Sequence, residues 1–577
     1  MVRLIYRFNR FLSKSTIYEN KMKWKTLQHN GILFPPDFES KGIKIRIKDQ
    51  DVALDLLQEE MIYQWAKKKD TPYAQDEVFQ KNFVADFAKT FNGKYKNLTL
   101  SDIDLSNPFK LVDKEKDAKE LLTKEEKKSL AAERKKLREE MKAKYGMAIM
   151  DGKQVEVANY MAEPPGIFIG RGEHPMRGKW KPKVSSKDVT LNLGRDAKVP
   201  LGDWGKIVHD RDSMWMASWT DVLTQKRKYV WLADTAGIKQ DRDKAKYDKA
   251  KKLASEIDKV KDKIVNDMQN KDAKLRRIST ACYLIYRTAM RVGDEKDPEE
   301  ADTVGATTLR KEHVKLNGDS IEFDFLGKDS VRWQETVPAI GHDKQFHDNL
   351  KELVSKKKDS DEIFDEITSR HVNLYYSGVV KGLTAKVFRT YLASSVVTKY
   401  LRENGDVKKS TPAEKLYHAK LANLEAATMC NHKRTIPKTF EQTLQKKVDT
   451  LKTAEKATPW KAKEESLKKA ESATPKTDAQ KEKQSERIKK AKTQIRKSKQ
   501  KHKERIEKLR LQVDLTKKTK DYNLGTSLRN YIDPRVFKSW TDEMNAEWEK
   551  LYTAALQKKF LWVKSENESW QHVSKQY

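Results

Sequence analysis

Apolar residues recur along this chain in three rhythms, and the changes of rhythm divide it. From about Trp24 to Val230 short alternating runs such as "KGIKIRIKD" and "KYVWLAD" predict strands, separated by helical stretches. Between Lys119 and Gly146 the apolar positions Leu122, Leu130, Leu137 and Met141 lie on a highly charged background, which predicts an exposed helix or helical hairpin ending at Gly146. "EPPGIFIGRGEHPMRG" (Glu163–Gly178) is rich in Pro and Gly and reads as a long loop carrying Arg171 and Arg177. From about Gly237 to Arg434 the rhythm is mainly helical. "HVKLNGDSIEFDFLGKDSVRWQETV" interrupts it with three alternating strands, joined by turns at "NGDS" and "LGKDS".

From about Thr439 to Lys520 the apolar residues thin to a seam. Leu444, Val448 and Leu451 mark one half, and Ile488, Ala491, Ile495, Ile506, Leu509 and Val513 the other, in steps of three and four. Two helices sharing that seam make a protruding antiparallel hairpin that turns at "ATPKTD", with Pro459 able to break its first arm sooner; a disordered basic linker is the alternative. After Asp521 the chain is compact again, with Trp540, Trp548, Phe560 and Trp562 for a small helical domain. The expectation is a multidomain α+β protein with a mainly helical second half.

Composition narrows the partners. The chain has 577 residues, too many for one core, and a formal net charge of +33. Such an excess of cations points to a polyanion, with nucleic acid ahead of an anionic membrane surface, because displaced counterions reward spread-out basic residues. No apolar run approaches the roughly eighteen residues of a spanning helix. The two cysteines, Cys282 and Cys430, form no C-x-x-C pair, and no metal-ligand cluster is evident. The first residues, "MVRLIYRFNRFLSKSTIY", are basic and free of acid, as in a mitochondrial presequence or a basic arm.

Candidate chemistry gathers on "LGTSLRNYIDPR", where Tyr531 sits before a turn. A phenol, with a pKa of about 10, is a poor nucleophile unaided. Attack on a phosphodiester needs cations fixed on the phosphoryl oxygens and an acid for the leaving group. Four blocks offer them: Arg291 in "AMRVGDEKD", Lys328 in "DFLGKDSVRW", Lys386 and Arg389 one turn apart in "GLTAKVFRTYLAS", and His432 in "MCNHKRTIPKTF". Each taken alone also reads as a surface cap, a turn residue, a solvated face or a satisfied loop histidine.

These blocks, in this order with "MKWKTLQHNGILFPP", "FQKNF", "EPPGIFIGRGEHP", "SWTD", "EEADTVGATTLR" and "CNHKR", resemble the eukaryotic-type (type IB) DNA topoisomerase I family over nearly the whole chain. The resemblance implies a bilobed DNA clamp. Residues 20–236 would be its DNA-binding cap, 237–438 a catalytic core of tyrosine-recombinase type, 439–520 the hairpin linker and 521–577 the tyrosine domain, after an extension of residues 1–19. Tyr531 would form a 3′-phosphotyrosine, Arg291, Arg389 and His432 would hold the non-bridging oxygens, and Lys328 would protonate the 5′ oxygen. No ATP, cofactor or metal is implied, and no phosphate-binding G-x-x-x-x-G-K-[ST] loop is present. Carried over as DNA contacts are Arg171, Trp215, Lys228, Tyr229, Lys246, Val292, Gly293, Asp294, Glu295, Lys296, Thr303, Asp329, Asn373, Thr384, Ala385, Lys386 and Asn530. The implied partner is double-stranded DNA, bound largely without regard to sequence by a monomeric clamp, and the implied compartment is the nucleus.

The chain departs from the family pattern in places. Ile169 stands where the family has an arginine in "RGRG", "RVGDEKDPEEADTVG" is one residue short, and the family's long charged N-terminal region is reduced to about twenty residues. A mitochondrial or viral member is therefore an alternative. A tyrosine recombinase uses a similar set of residues, but its tyrosine follows the last basic residue closely, whereas here about a hundred residues intervene. A non-catalytic DNA-binding protein that keeps the fold is the third reading.

Overall fold

The computed structural model describes residues 22–170, 172–293, 304–327 and 331–577. Expectations for residues 1–19 and for Arg171, Asp294, Glu295, Lys296, Thr303, Lys328 and Asp329 lie outside the described residues. The described chain separates after Asp241 into two compact units.

In the first unit a seven-stranded sheet has the order β1 (Leu27–His29), β5 (Met147–Met150), β6 (Lys153–Ala158), β12 (Arg227–Leu232), β11 (Trp215–Thr220), β9 (Thr190–Asn192), β10 (Lys206–Val208). β11 is buried along nearly its whole length, so "WMASWT" shows little of the alternation of a half-exposed strand. A smaller sheet, β2 (Ile45–Ile47), β3 (Gln50–Val52) and β4 (Ile103–Asp104), packs with the helices α1 (Leu56–Ala66), α2 (Glu77–Lys89) and α3 (Ser106–Leu121). "FQKNF" is explained by this core: Phe79, Phe83 and Phe87 fall on one face of α2 and are fully buried, with Phe83 stacked 4.5 Å from Trp65. Burying each such ring is worth about 2–3 kcal/mol.

Glu163–Gly178 is less of a free loop than its Pro and Gly content suggests. Gly166–Ile167 (β7) pairs with Trp180–Lys181 (β8), and Ile169 packs against the α1–α2 core. The residue that replaces the family's arginine is thus an anchor for the segment. Gly178, at φ +93°, passes so close to α2 that a Cβ would lie 2.6 Å from the Phe79 Cα. The charged stretch forms α4 (Lys124–Tyr145), which starts at a Thr123–Glu126 capping box and buries none of its side chains. Gly146 ends it without a left-handed turn, at φ −86°; glycine is needed there because a Cβ would meet the Lys142 carbonyl at 2.7 Å.

In the second unit α5 (Gly237–Asp267), α6 (Ala273–Thr288), α7 (His342–Val354), α8 (Ser369–Val379) and the first turns of α9 (Ala385–Asn404) surround a three-stranded antiparallel sheet. Its strands are β13 (Val314–Leu316), β14 (Ser320–Gly327) and β15 (Val331–Pro338), as their alternation predicts. A second core joins the rest of α9 and α10 (Pro412–Met429) to Ile532, Val536, Phe537, Trp540 and Phe560 of the C-terminal segment. Residues 521–577 therefore share their core with the preceding helices.

Between them lies the hairpin. Its first arm is broken where Pro459 stands, into α11 (Phe440–Lys456) and α12 (Lys461–Glu471), and its second is the single helix α13 (Asp478–Lys518). Ion pairs Arg510–Glu455, Lys499–Glu464 and Lys492–Glu471 rise along one arm as they descend the other, which makes the pairing antiparallel. Along the hairpin helices the buried residues are Phe440, Ala454, Ile495, His502 and Val513.

Candidate active site

α14 (Leu524–Asn530) and α15 (Pro534–Glu543) flank Tyr531, which caps the end of α14. Three sets of interactions fix that position. Asn523 caps the start of α14 by accepting from Gly525 N–H at 3.1 Å. At its end the N–H groups of Tyr531 and Ile532 both donate to the Ser527 carbonyl, at 3.0 and 3.1 Å. One residue further on, Asp533 N–H donates to Ser394 Oγ of α9 at 3.0 Å. The fully buried Asp533 also accepts from Arg535, and from the Tyr577 hydroxyl at 2.8 Å.

His432 reaches Tyr531 through a backbone stitch. After α10 the chain turns at Asn431, with φ +49°, and His432 N–H donates to the Ala427 carbonyl at 2.8 Å. The His432 carbonyl then accepts from Asn523 N–H at 2.7 Å, and Lys433 pairs with Tyr522 as an antiparallel bridge. Residues about a hundred positions apart are thereby locked side by side, and the imidazole stacks on the Tyr531 ring at 5.3 Å and 26°. Its Nδ1 lies 3.1 Å from Ser527 Oγ, while its buried Nε2 has no partner among the described residues.

Arg389 occupies the other side. α9 carries it into the core at 3% exposure, although Lys386 one turn earlier is exposed; a three-residue step alone does not put the two in one environment. The guanidinium donates through Nη1 to the Tyr531 hydroxyl at 3.2 Å and through Nη2 to the Cys430 carbonyl at 2.9 Å, and its carbon lies 4.6 Å from the Tyr531 ring centre. Its buried Nε has no partner among the described residues.

Arg291 stands three residues past the end of α6, beyond the left-handed Ala289 at φ +51°. Its carbonyl accepts from Ala306 N–H at 2.8 Å, and that of Val292 from Thr307 N–H at 2.7 Å. These bonds bring Gly293 against Gly305 so tightly that a Cβ on Gly305 would lie 2.5 Å from Gly293 N and Cα. Burial first, and Arg389 next, hold the Arg291 guanidinium below its ordinary value, while the Tyr531 hydroxyl acts in the opposite sense. A cavity is lined by Arg291, Arg389 and Asn431, and also by Gly327 and Val331, the described residues on either side of Lys328 in sequence.

Two guanidiniums and an imidazole thus converge on one phenol. Burial, Arg389 and Arg291 push His432 down to about 3, so it is neutral at pH 7. A neutral imidazole between fixed cations can give one hydrogen bond without adding a charge. Among the described residues no cluster of three or more His, Cys, Asp or Glu is placed to hold a metal ion.

The expected DNA-contact positions divide by unit. In the first, Trp215 and Tyr229 face each other on β11 and β12 with ring centres 5.9 Å apart, and Lys228 lies 3.6 Å from Glu163. In the second, Thr384 caps α9 and Asn373 accepts from Ala385 N–H at 3.0 Å, beside the exposed Lys386. Lys246 of α5 donates to the carbonyl of Asn530, the residue before the tyrosine, at 3.1 Å, and burial pulls its ammonium down to about 8. Val292 and Gly293 lie beside Arg291. Sequence reasoning missed Ser394, Ser527 and Asp533, whose short polar side chains carry no signal until the helices are placed.

Comparison with known proteins agrees along the chain. Residues 22–232 match the family described as eukaryotic DNA topoisomerase I, DNA binding fragment, 235–466 its catalytic core, and 503–572 the C-terminal topoisomerase domain. The human protein named DNA topoisomerase 1 is 34% identical over 95% of this chain and 71% of its own length. The chain belongs to the eukaryotic DNA topoisomerase I family. Arabidopsis thaliana DNA topoisomerase 1 beta is 33% identical over 94% of this chain, which spans 59% of that relative's length. No helix among the described residues is long and apolar enough to cross a membrane.

Proposed function

We propose that this chain is a type IB DNA topoisomerase that relaxes supercoiled duplex DNA without ATP. The observation that carries the reading is the convergence of Arg291, Arg389 and a neutral His432 on the Tyr531 hydroxyl, in a chain of this family. The Tyr531 hydroxyl gives up its proton to solvent as its oxygen attacks the phosphorus, and the bond to the 5′ oxygen breaks, leaving a 3′-phosphotyrosine and a 5′ hydroxyl. Both guanidiniums and the His432 ring donate to the non-bridging oxygens, where charge develops. By family resemblance Lys328 supplies the proton to the departing 5′ oxygen. The phosphotyrosine conserves the energy of the broken bond, so the 5′ hydroxyl reseals the strand by the reverse step once the duplex has rotated.

Residues 20–236 and 237–438 act as the two lobes of a monomeric clamp on DNA, with 439–520 as linker and 521–577 carrying the nucleophile. The positions named above as DNA contacts meet mainly phosphate and sugar, which makes binding indifferent to sequence and steeply dependent on salt. The nucleus is the compartment that fits this activity.

The test is relaxation of supercoiled plasmid in EDTA without ATP, by the wild type and by Tyr531→Phe. Wild type relaxes and the Phe variant does not. Relaxation that survives in Tyr531→Phe removes the tyrosine from the chemistry. Tight duplex binding with no relaxation by wild type favours a non-catalytic role, and site-specific exchange between duplexes a recombinase.

A further inference from the structure

We propose that Ser527 decides which ring nitrogen of His432 carries the proton, and is thereby a positioning residue for the reaction at Tyr531. The inference rests on the function proposed above and adds to it a residue without which His432 could not serve. A neutral imidazole has one N–H, so it donates from Nε2 only when Nδ1 accepts. Ser527 Oγ is fully buried and 3.1 Å from Nδ1, and among the described residues the hydroxyl has no other partner.

The two hydrogen-bond directions are unequal. If Nδ1–H donated to Oγ, the serine hydrogen would be left in the core with no acceptor, at the cost of an unmade buried bond. Nε2 would then present a lone pair to an anionic phosphoryl oxygen. If the serine donates to Nδ1, its hydrogen is satisfied and the ring proton sits on Nε2, which is buried with no partner among the described residues and is free to donate. An acceptor from outside the chain, such as a phosphoryl oxygen of DNA, is what Nε2–H would bond. The depressed basicity of His432 agrees, since a doubly protonated ring would need no partner to select its donor.

Ser527 also holds the other half of the pair. Its carbonyl accepts from the N–H groups of Tyr531 and Ile532, so one residue sets both the tyrosine's backbone and the histidine's ring. A one-residue shift of α14 would lose both together.

The ring can be read directly. In wild-type protein labelled with 15N in the histidine rings, the His432 resonances, identified by their absence from His432→Gln, should show Nε2 protonated and Nδ1 bare at pH 7. Ser527→Ala should move them toward a mixture. A wild-type spectrum with Nδ1 protonated overturns the proposal. In single-turnover cleavage of a duplex, Ser527→Ala should be slowed roughly tenfold, with DNA affinity unchanged. It should slow His432→Gln no further. Equal slowing in both backgrounds means that Ser527 acts through packing and overturns the proposal. If the wild type cleaves no DNA, the proposed function fails while the ring spectrum still decides the proton. If Ser527→Ala does not fold, the wild-type spectrum decides alone.

Discussion

The hairpin of α11–α13 and the pocket at Tyr531 are both rich in cations, yet the same residue types behave differently in each. In the hairpin, Lys492, Lys499 and Arg510 keep half or more of their side chains in water even when paired with Glu471, Glu464 and Glu455. Solvent and salt screen such pairs, and each is worth little. At Tyr531, Arg389 is 3% exposed, sits beside Arg291, and pushes its neighbours' protonation. Two neighbouring cations, one buried and one half-buried, repel each other at a cost to folding, which makes sense as a site prepared for an anion. Burial, rather than residue type, separates a solubilising charge from one that can stabilise a transition state.

Removing the more buried of the two guanidiniums should break this contrast most clearly. Arg389→Ala is expected to slow single-turnover DNA cleavage by about 10²–10³. Arg389→Lys should fail to restore it, because a single ammonium nitrogen lacks the planar fork by which Nη1 and Nη2 reach Tyr531 and Cys430 separately. A loss of less than tenfold would mean that the buried guanidinium is structural.

The backbone that presents Arg291 is the next point of attack. In Gly305→Ala the new Cβ meets Gly293 backbone at 2.5 Å, so the Arg291 segment must move. Displacement by an ångström is expected to cost roughly a hundredfold in cleavage. Unchanged cleavage would show that the glycine contact does not position Arg291.

His432 offers a comparison by pH. Its folded value, about 3, lies below its ordinary 6.5, so as pH falls the unfolded chain takes up the proton first. The contribution is complete above about 6.5 and is lost as pH drops toward 3, amounting to about 2 kcal/mol at pH 5. Between pH 7 and 5, denaturant titrations should show wild type losing about that much more than His432→Gln. Equal losses would place His432 in contact with water.

The smallest effect belongs to the hairpin surface. Arg510→Ala, which breaks the pair with Glu455, should shift stability by less than about 0.5 kcal/mol and leave cleavage within twofold. A larger stability loss would show that the seam depends on its flanking ion pairs.

Much of the architecture was legible from pattern. The three strands from Val314 to Pro338 alternate strictly, and the hairpin arms keep three- and four-residue steps, because one-sided burial imposes those periods. Buried β11 was harder, since a strand covered on both faces loses its alternation. The break after Lys456 was visible only as Pro459, and the pairing of β7 with β8 was hidden by glycine and proline.

The site was legible in its parts. Motif resemblance picked out Tyr531, Arg291, Arg389 and His432, since each sits in a block whose residues occur together for a reason. Nothing local says that Arg389 is buried while Lys386 is not, because that depends on what packs against α9. Nor does any local pattern tie Ser527 to His432, Asp533 to Ser394 or Lys246 to the Asn530 carbonyl. Periodicity and motif, which are properties of neighbours along the chain, determined the elements and the candidate residues of the site. Contact between residues about a hundred or more positions apart determined which charges lost their water and which ring nitrogen faces the serine, because desolvation exists only once the helices have closed around the tyrosine.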